Sequence, residues 1–149
     1  MKASKSSKPV ARKRPPAKSE ELSPAGERSA EVVLDVEVEN DRVHLVLANC
    51  GDAVATDVEV KFSRALVGLG GSIRVSTLPI FTKLGVLRPG RALRIFWDAA
   101  PSLLAQKGEA APFVATVSWS ERSRARQQVD YHHDLSIYRQ LPEALEPFP

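Results

Sequence analysis

Residues Val43–Val60, VHLVLANCGDAVATDVEV, decide the fold. Two runs of alternating apolar and polar residues flank Asn49-Cys50-Gly51-Asp52-Ala53. Successive side chains of a strand point to opposite faces, so each run reads as a half-buried strand, and the residues between them as a loop. Val43, Leu45 and Leu47 form the inward set of the first run. In the second, Val54, Thr56, Val58, Val60 and Phe62 alternate against Asp57, Glu59 and Lys61.

The pattern extends in both directions. Upstream, AEVVLDVEVE (residues 30–39) places Val32, Leu34, Val36 and Val38 on one face and Glu31, Asp35, Glu37 and Glu39 on the other. Asn40-Asp41 then reads as a two-residue turn, since both residue types tolerate positive φ. Downstream, Gly68, Gly70 and Gly71 interrupt the pattern, and Ile73, Val75 and Leu78 suggest a short strand before Pro79. Thr82 to Leu87 reads as a strand, Arg88-Pro89-Gly90 as a turn, and Arg91 to Trp97 as the return strand. Pro101 to Lys107 suggests a helical turn with proline near its start. Phe113, Ala115, Val117 and Trp119 alternate again. Ser120 to Ser123 turns, and Arg126 to Leu135 follows with Val129, Tyr131, His133 and Leu135 in phase. A short helix over Leu135 to Leu141 closes the chain. Seven or eight strands with turn signals every 8–12 residues predict an all-β, immunoglobulin-like antiparallel sandwich. No long amphipathic helix is present to cover a parallel sheet.

The 149 residues divide into a basic N-terminal tail (1–29), the sandwich (30–141) and a proline-bearing C-terminal tail (142–149). Of 21 Lys and Arg and 18 Asp and Glu, eight bases and three acids lie in residues 1–29, which leaves thirteen and fifteen for the rest. The basic character therefore belongs to the tail. Rich in Lys, Ser, Pro and Ala, it has too little apolar surface to offset its ordering entropy and reads as disordered. Lys8, Arg12, Lys13, Arg14 and Lys18 are candidate polyanion contacts, able to neutralise phosphates and release counterions. The plainer reading of the same run is a solvated arm.

No apolar run approaches a membrane span, and the first 29 residues hold no signal-peptide core. A single cysteine, Cys50, excludes an internal disulfide. Together these point to a soluble cytoplasmic protein.

The stretch LVLANCGDAVATDVEV resembles the signature of the bacterial cell-adhesion-related (CARDB-like) Ig-like domains, through Leu47, Asn49, Gly51, Ala55, Val58 and Val60. The segment LGVLRPGRALRIFW is similar to their later Leu-x-Pro-Gly turn, at Leu87, Pro89 and Gly90. The closing hairpin, with Asp134-Leu135-Ser136 near its end, resembles theirs as well. The likeness spans most of residues 30–141 and implies an adhesion, spacing or ligand-presenting module, often placed outside the membrane. This chain differs in showing no export signal.

Chemistry-bearing residues are few. His132 and His133 are adjacent on a strand, so their imidazoles diverge, and His44 meets His132 only if their strands are neighbours. A zinc site needs three or four convergent ligands, so no metal or other cofactor is expected. Cys50 has no base beside it in the sequence. Gly68-Leu69-Gly70-Gly71 lacks the Lys-Ser/Thr of a phosphate-cradling loop, and no Gly-x-Ser-x-Gly elbow occurs. The basic tip Ser120–Arg126 reads as an exposed charged turn. No catalytic residue is assigned. The expected function is a non-enzymatic protein–protein interaction or scaffold module, its partner another protein or, through edge strands, a second copy of the chain. The alternative is polyanion or nucleic-acid association through the tail.

Overall fold

The computed structural model of the chain describes residues 28–106, 108–122 and 124–140, and it forms an all-β antiparallel sandwich. The first sheet has the order β1-β2-β7, with β1 Val32–Glu39, β2 Arg42–Asn49 and β7 Ala92–Ala99. The second has the order β6-β3-β8-β9, with β3 Ala55–Phe62, β6 Leu84–Leu87, β8 Phe113–Glu121 and β9 Arg124–His133. Two further strands, β4 Val67–Gly68 and β5 Ile73–Arg74, make a small hairpin. The count among the described residues is nine, and two of these strands have only two residues each.

The alternation of the sequence is met in β1, β2 and β8. Val32, Leu34, Val43, Leu45 and Leu47 are fully buried, and Phe113, Ala115, Val117 and Trp119 nearly so. The Asn40-Asp41 turn has φ of 53° and 61°, the left-handed pair that matches the twist of a two-residue hairpin. Aliphatic residues fill the middle of the core. Phe62, Phe81, Trp97 and Phe113 gather at one end, where Phe62 meets Phe81 edge-on at 5.1 Å and Trp97 meets Phe113 edge-on at 5.8 Å, while Trp119 is buried toward the other.

Four expectations change. Val54 and Thr56 were expected inside, yet Val54 is exposed and Ala55 is fully buried. A bulge causes this. Thr56 opposes Ser120 and Glu59 opposes Ser118, so three steps on β3 match two on β8, and Asp57 takes φ of 50°. The extra residue inverts the phase upstream. Second, Arg88-Pro89-Gly90 does not close a hairpin. It is a type II turn, with Gly90 at φ 78° and an Arg91 N–H to Arg88 carbonyl bond of 3.1 Å. It carries the chain from β6, paired with β3, to β7, paired with β2. Third, the strand expected through Ile73, Val75 and Leu78 stops after Arg74. A 3-10 turn Val75–Thr77 and a short helix α1 Pro79–Thr82 follow, so β6 starts at Leu84 rather than Thr82. Fourth, Val129 keeps the inward phase but is exposed, because β9 is an edge strand that overhangs the facing sheet. The helix α2 Ala100–Ala105, with proline in its first turn, and the closing 3-10 turn Leu135–Gln140 stand where the sequence placed them.

One end of the sandwich is organised by Asn49, which is buried. Its Oδ1 accepts from the N–H groups of Glu31 (3.1 Å) and Gly51 (3.0 Å). Its Nδ2 donates to the carbonyls of Ala53 (2.8 Å) and Leu87 (3.0 Å). The Asn49 backbone adds an N–H bond to the Arg91 carbonyl and accepts from Gly90. Gly51 must be glycine here for space, since a Cβ would sit 2.3 Å from the Ser29 carbonyl oxygen. Asn49→Asp keeps the shape but removes both donors and sets a carboxylate against two carbonyls. The expected loss is about 3 kcal/mol or more of unfolding free energy, measured by denaturant titration. A loss within about 0.5 kcal/mol, the range of surface substitutions, would contradict this role.

Candidate functional site

The opposite end of the sandwich is where the regular pattern fails, and one feature there and two elsewhere have the geometry of sites. The first is the hairpin Val67–Arg74. It lies against the end of β7. The Trp97 indole N–H donates to the Val67 carbonyl at 3.1 Å, and the Gly70 N–H donates to Asp98 Oδ2 at 3.1 Å. Asp98 is buried and also accepts from the Ala99 N–H. The Val67 N–H donates to Glu109 Oε1 at 2.9 Å. Gly68 passes so close to β7 that a Cβ would lie 2.1 Å from the Trp97 carbonyl oxygen. Arg64 fastens the base, donating to the carbonyls of Glu109 (2.8 Å) and Ala111 (2.7 Å), with Glu109 Oε1 3.6 Å from Nη1.

The tip of this hairpin carries Leu69 at φ 53°. A left-handed backbone costs a non-glycine residue about 1–2 kcal/mol, and such outliers persist where the surroundings enforce them. Leu69 is 42% exposed and Ile73, near it across the hairpin, is 39% exposed. The tip is thus tied down by buried polar groups while two aliphatic side chains face solvent. Neither Leu69 nor Ile73 was singled out as a site residue from the sequence. The signal was the glycine-rich interruption itself.

The second feature is the outer face of the first sheet. Arg94 bonds Glu37 at 2.9 Å and approaches Glu39 at 3.5 Å. Arg42 stacks 4.5 Å over Phe96, and His44 meets Phe96 edge-on at 5.6 Å. The Nδ1 of His44 is buried with no hydrogen-bond partner. Burial, then the positive charges of Arg94 and Arg42, hold its pKa below the ordinary 6.5, against the opposing pull of Glu37 and Glu39.

The third is the seam between β1 and β9. The Tyr131 hydroxyl donates to the Val32 carbonyl at 2.9 Å, and His133 Nε2 lies 3.0 Å from the Leu34 carbonyl. Burial first, then the nearby Glu31 carboxylate and the Cys50 sulfur, raise the Tyr131 pKa from its ordinary 10 and keep the phenol a donor. Side chains of one sheet therefore occupy backbone acceptors of an edge strand of the other.

The structure separates the residues weighed for chemistry. His132 is exposed, His133 is half-buried on the other face of β9, and His44 is on β2, whose neighbours are β1 and β7. Among the described residues no group of three His, Cys, Asp or Glu is arranged to hold a metal. Cys50 is exposed. Both tryptophans are in the core. In the basic tip, Arg126 is spent on the bulge, bonding the Asp57 carbonyl and the hydroxyls of Ser118 and Ser120. Arg124 lies 3.8 Å from Glu121. Lys8, Arg12, Lys13, Arg14 and Lys18 lie outside the described residues. No helix among the described residues is long and apolar enough to cross a membrane.

Fold and surface together define a small all-β sandwich with an anchored, apolar-tipped hairpin at one end. The chain belongs to the family described as a domain of unknown function (DUF8453), whose model matches residues 10–139. No curated protein matches the chain. No solved structure matches it either.

The His44 environment sets a pH dependence. A pKa lowered in the folded state means the unfolded chain takes up the proton first on acidification. The stabilising effect of the neutral ring is complete above about pH 6.5 and is lost as pH falls through the folded-state value. His44→Gln is expected to flatten the decline of Tm between about pH 7 and pH 5. Equal slopes for variant and parent would contradict it.

Proposed function

We propose that this domain is a non-enzymatic protein-interaction module that docks a partner protein through the Val67–Arg74 hairpin. The observation that carries the reading is Leu69. Its left-handed backbone is exposed at a tip, and buried Asp98 and Trp97 hold that tip in place. An apolar pair pre-ordered in this way loses little conformational freedom on binding, which favours association. Among the described residues the other large aliphatic side chains that are exposed are Val54, Val86, Val129 and Ile137, and none of these is at a tip held by buried polar groups.

The layer order also supports reading the sandwich as immunoglobulin-like. Seven main strands split three and four, with crossings between layers after β2, β6 and β7, in the manner of Greek-key sandwiches that present loops at their ends. A cytoplasmic setting is favoured by the exposed, unpaired Cys50.

The test is affinity capture with the full chain, with Leu69→Asp/Ile73→Asp, and with Val86→Asp as a control on an exposed valine elsewhere. The expected outcome is one protein recovered by the parent and the control and lost with the tip variant, at unchanged Tm. Recovery of the same protein by all three would overturn the reading.

A second reading, polyanion binding through the N-terminal segment, is favoured by its eight bases against three acids. The family match begins at residue 10 and so takes in Arg12, Lys13, Arg14 and Lys18. If Lys8 and these four each meet a phosphate, log K against log salt for duplex DNA should fall with a slope of about −4.5. Replacing all five by alanine should bring the slope near zero. An unchanged slope would exclude the segment as the contact.

A further inference from the structure

Beside the base of the hairpin lies a depression of about 510 Å³, walled by the end of β3, by Arg64 and by residues Arg74, Ser76 and Thr82. We propose that it is a binding site for a phosphate monoester. The proposal stands on different residues from the hairpin tip and does not depend on that reading.

Several of the residues that line it carry donors. Lys61 and Arg74 are exposed and have no ion-pair partner among the described residues. Glu59 is the one carboxylate among the lining residues. Ser76 Oγ accepts the Leu66 N–H at 3.0 Å, which leaves its own hydrogen free to donate. Thr82 Oγ1 reaches the Pro79 carbonyl only at 3.5 Å, the outer limit of a hydrogen bond. Arg64 is held by three carbonyls and paired with Glu109, so it forms a fixed wall of the depression.

Lys61, Arg74 and the Ser76 hydroxyl, all among the residues lining one cavity, suit an oxyanion with several acceptor oxygens. A phosphate carries three and takes charge-assisted bonds from guanidinium and ammonium groups. The depression is roomier than inorganic phosphate requires, and Val60, Phe62 and Ala65 give it an apolar wall for the organic part of an ester. The same chemistry is offered by a small phosphorylated molecule and by a phosphorylated side chain of a partner.

The experiment is an amide NMR titration of the full chain at constant ionic strength. The probes are inorganic phosphate, free O-phosphoserine, and a phosphoserine peptide with its unphosphorylated twin. The expected result is saturable shifts at residues 61–65 and 74–77, weakened about tenfold or more in Lys61→Ala/Arg74→Ala. The shifts should persist when Lys8, Arg12, Lys13, Arg14 and Lys18 are all alanine, and in Leu69→Asp. Tighter binding of the phosphopeptide than of free O-phosphoserine assigns the source to a partner, and the reverse assigns it to a small molecule. Shifts that are absent, confined to the N-terminal segment, equal for the unphosphorylated peptide, or unchanged in the double variant would overturn the proposal.

Discussion

The side-chain amide of Asn49 uses all four of its hydrogen-bonding positions on backbone groups from three separate segments. One oxygen gathers the approach to β1 and the loop after β2. One nitrogen gathers that loop's far side and the end of β6. The two sheets meet at this residue, because β2 belongs to one and β6 to the other. A buried amide satisfied in this way stabilises the fold, and any misalignment would strand polar groups away from water. It therefore fixes where the chain may cross between layers. The close pass of Gly51 over Ser29 and Glu31 follows from the same requirement.

With that end closed, the other end is free to vary. There the chain leaves the regular strands twice, between β3 and β6 and between β7 and β8, and the two excursions support each other. Arg64 from the first holds carbonyls of the second, and Glu109 from the second holds the Val67 N–H of the first. Trp97 and Asp98, at the end of β7, hold the hairpin between them. Irregular segments positioned by a rigid scaffold are where binding is commonly found. The apolar tip belongs to the first excursion, and the depression lies between that excursion and the end of β3.

The sequence was most readable where a strand is buried on one face and solvated on the other. β1, β2 and β8 show period two, and their inward residues are the buried ones. Asn40-Asp41 was readable because few residues accept its backbone angles. β3 was readable as a strand but not in phase, since nothing in Ala-Thr-Asp-Val announces that Asp57 will be the extra residue of a bulge. The turn at Pro89-Gly90 was readable as a turn. Its partners were not, because a type II turn serves equally within a sheet or between sheets. Asn49 and Gly51 were marked as loop-shaping residues, yet the partners 18 and 38 positions away are a property of the folded chain. The hairpin tip and the depression were legible only as a break in the pattern. Their character comes from Asp98, Glu109 and Trp97, which are distant in sequence.

The central claim is that the Asn49 amide is a fixed joint between the sheets, as stable as the core around it. Native-state hydrogen exchange tests this directly. The account predicts that the Glu31 and Gly51 amides, both outside regular strands, exchange as slowly as the amides of Leu45 and Leu47, through global unfolding alone. Exchange of these two amides at the rate of an open loop, with the core still protected, would contradict it.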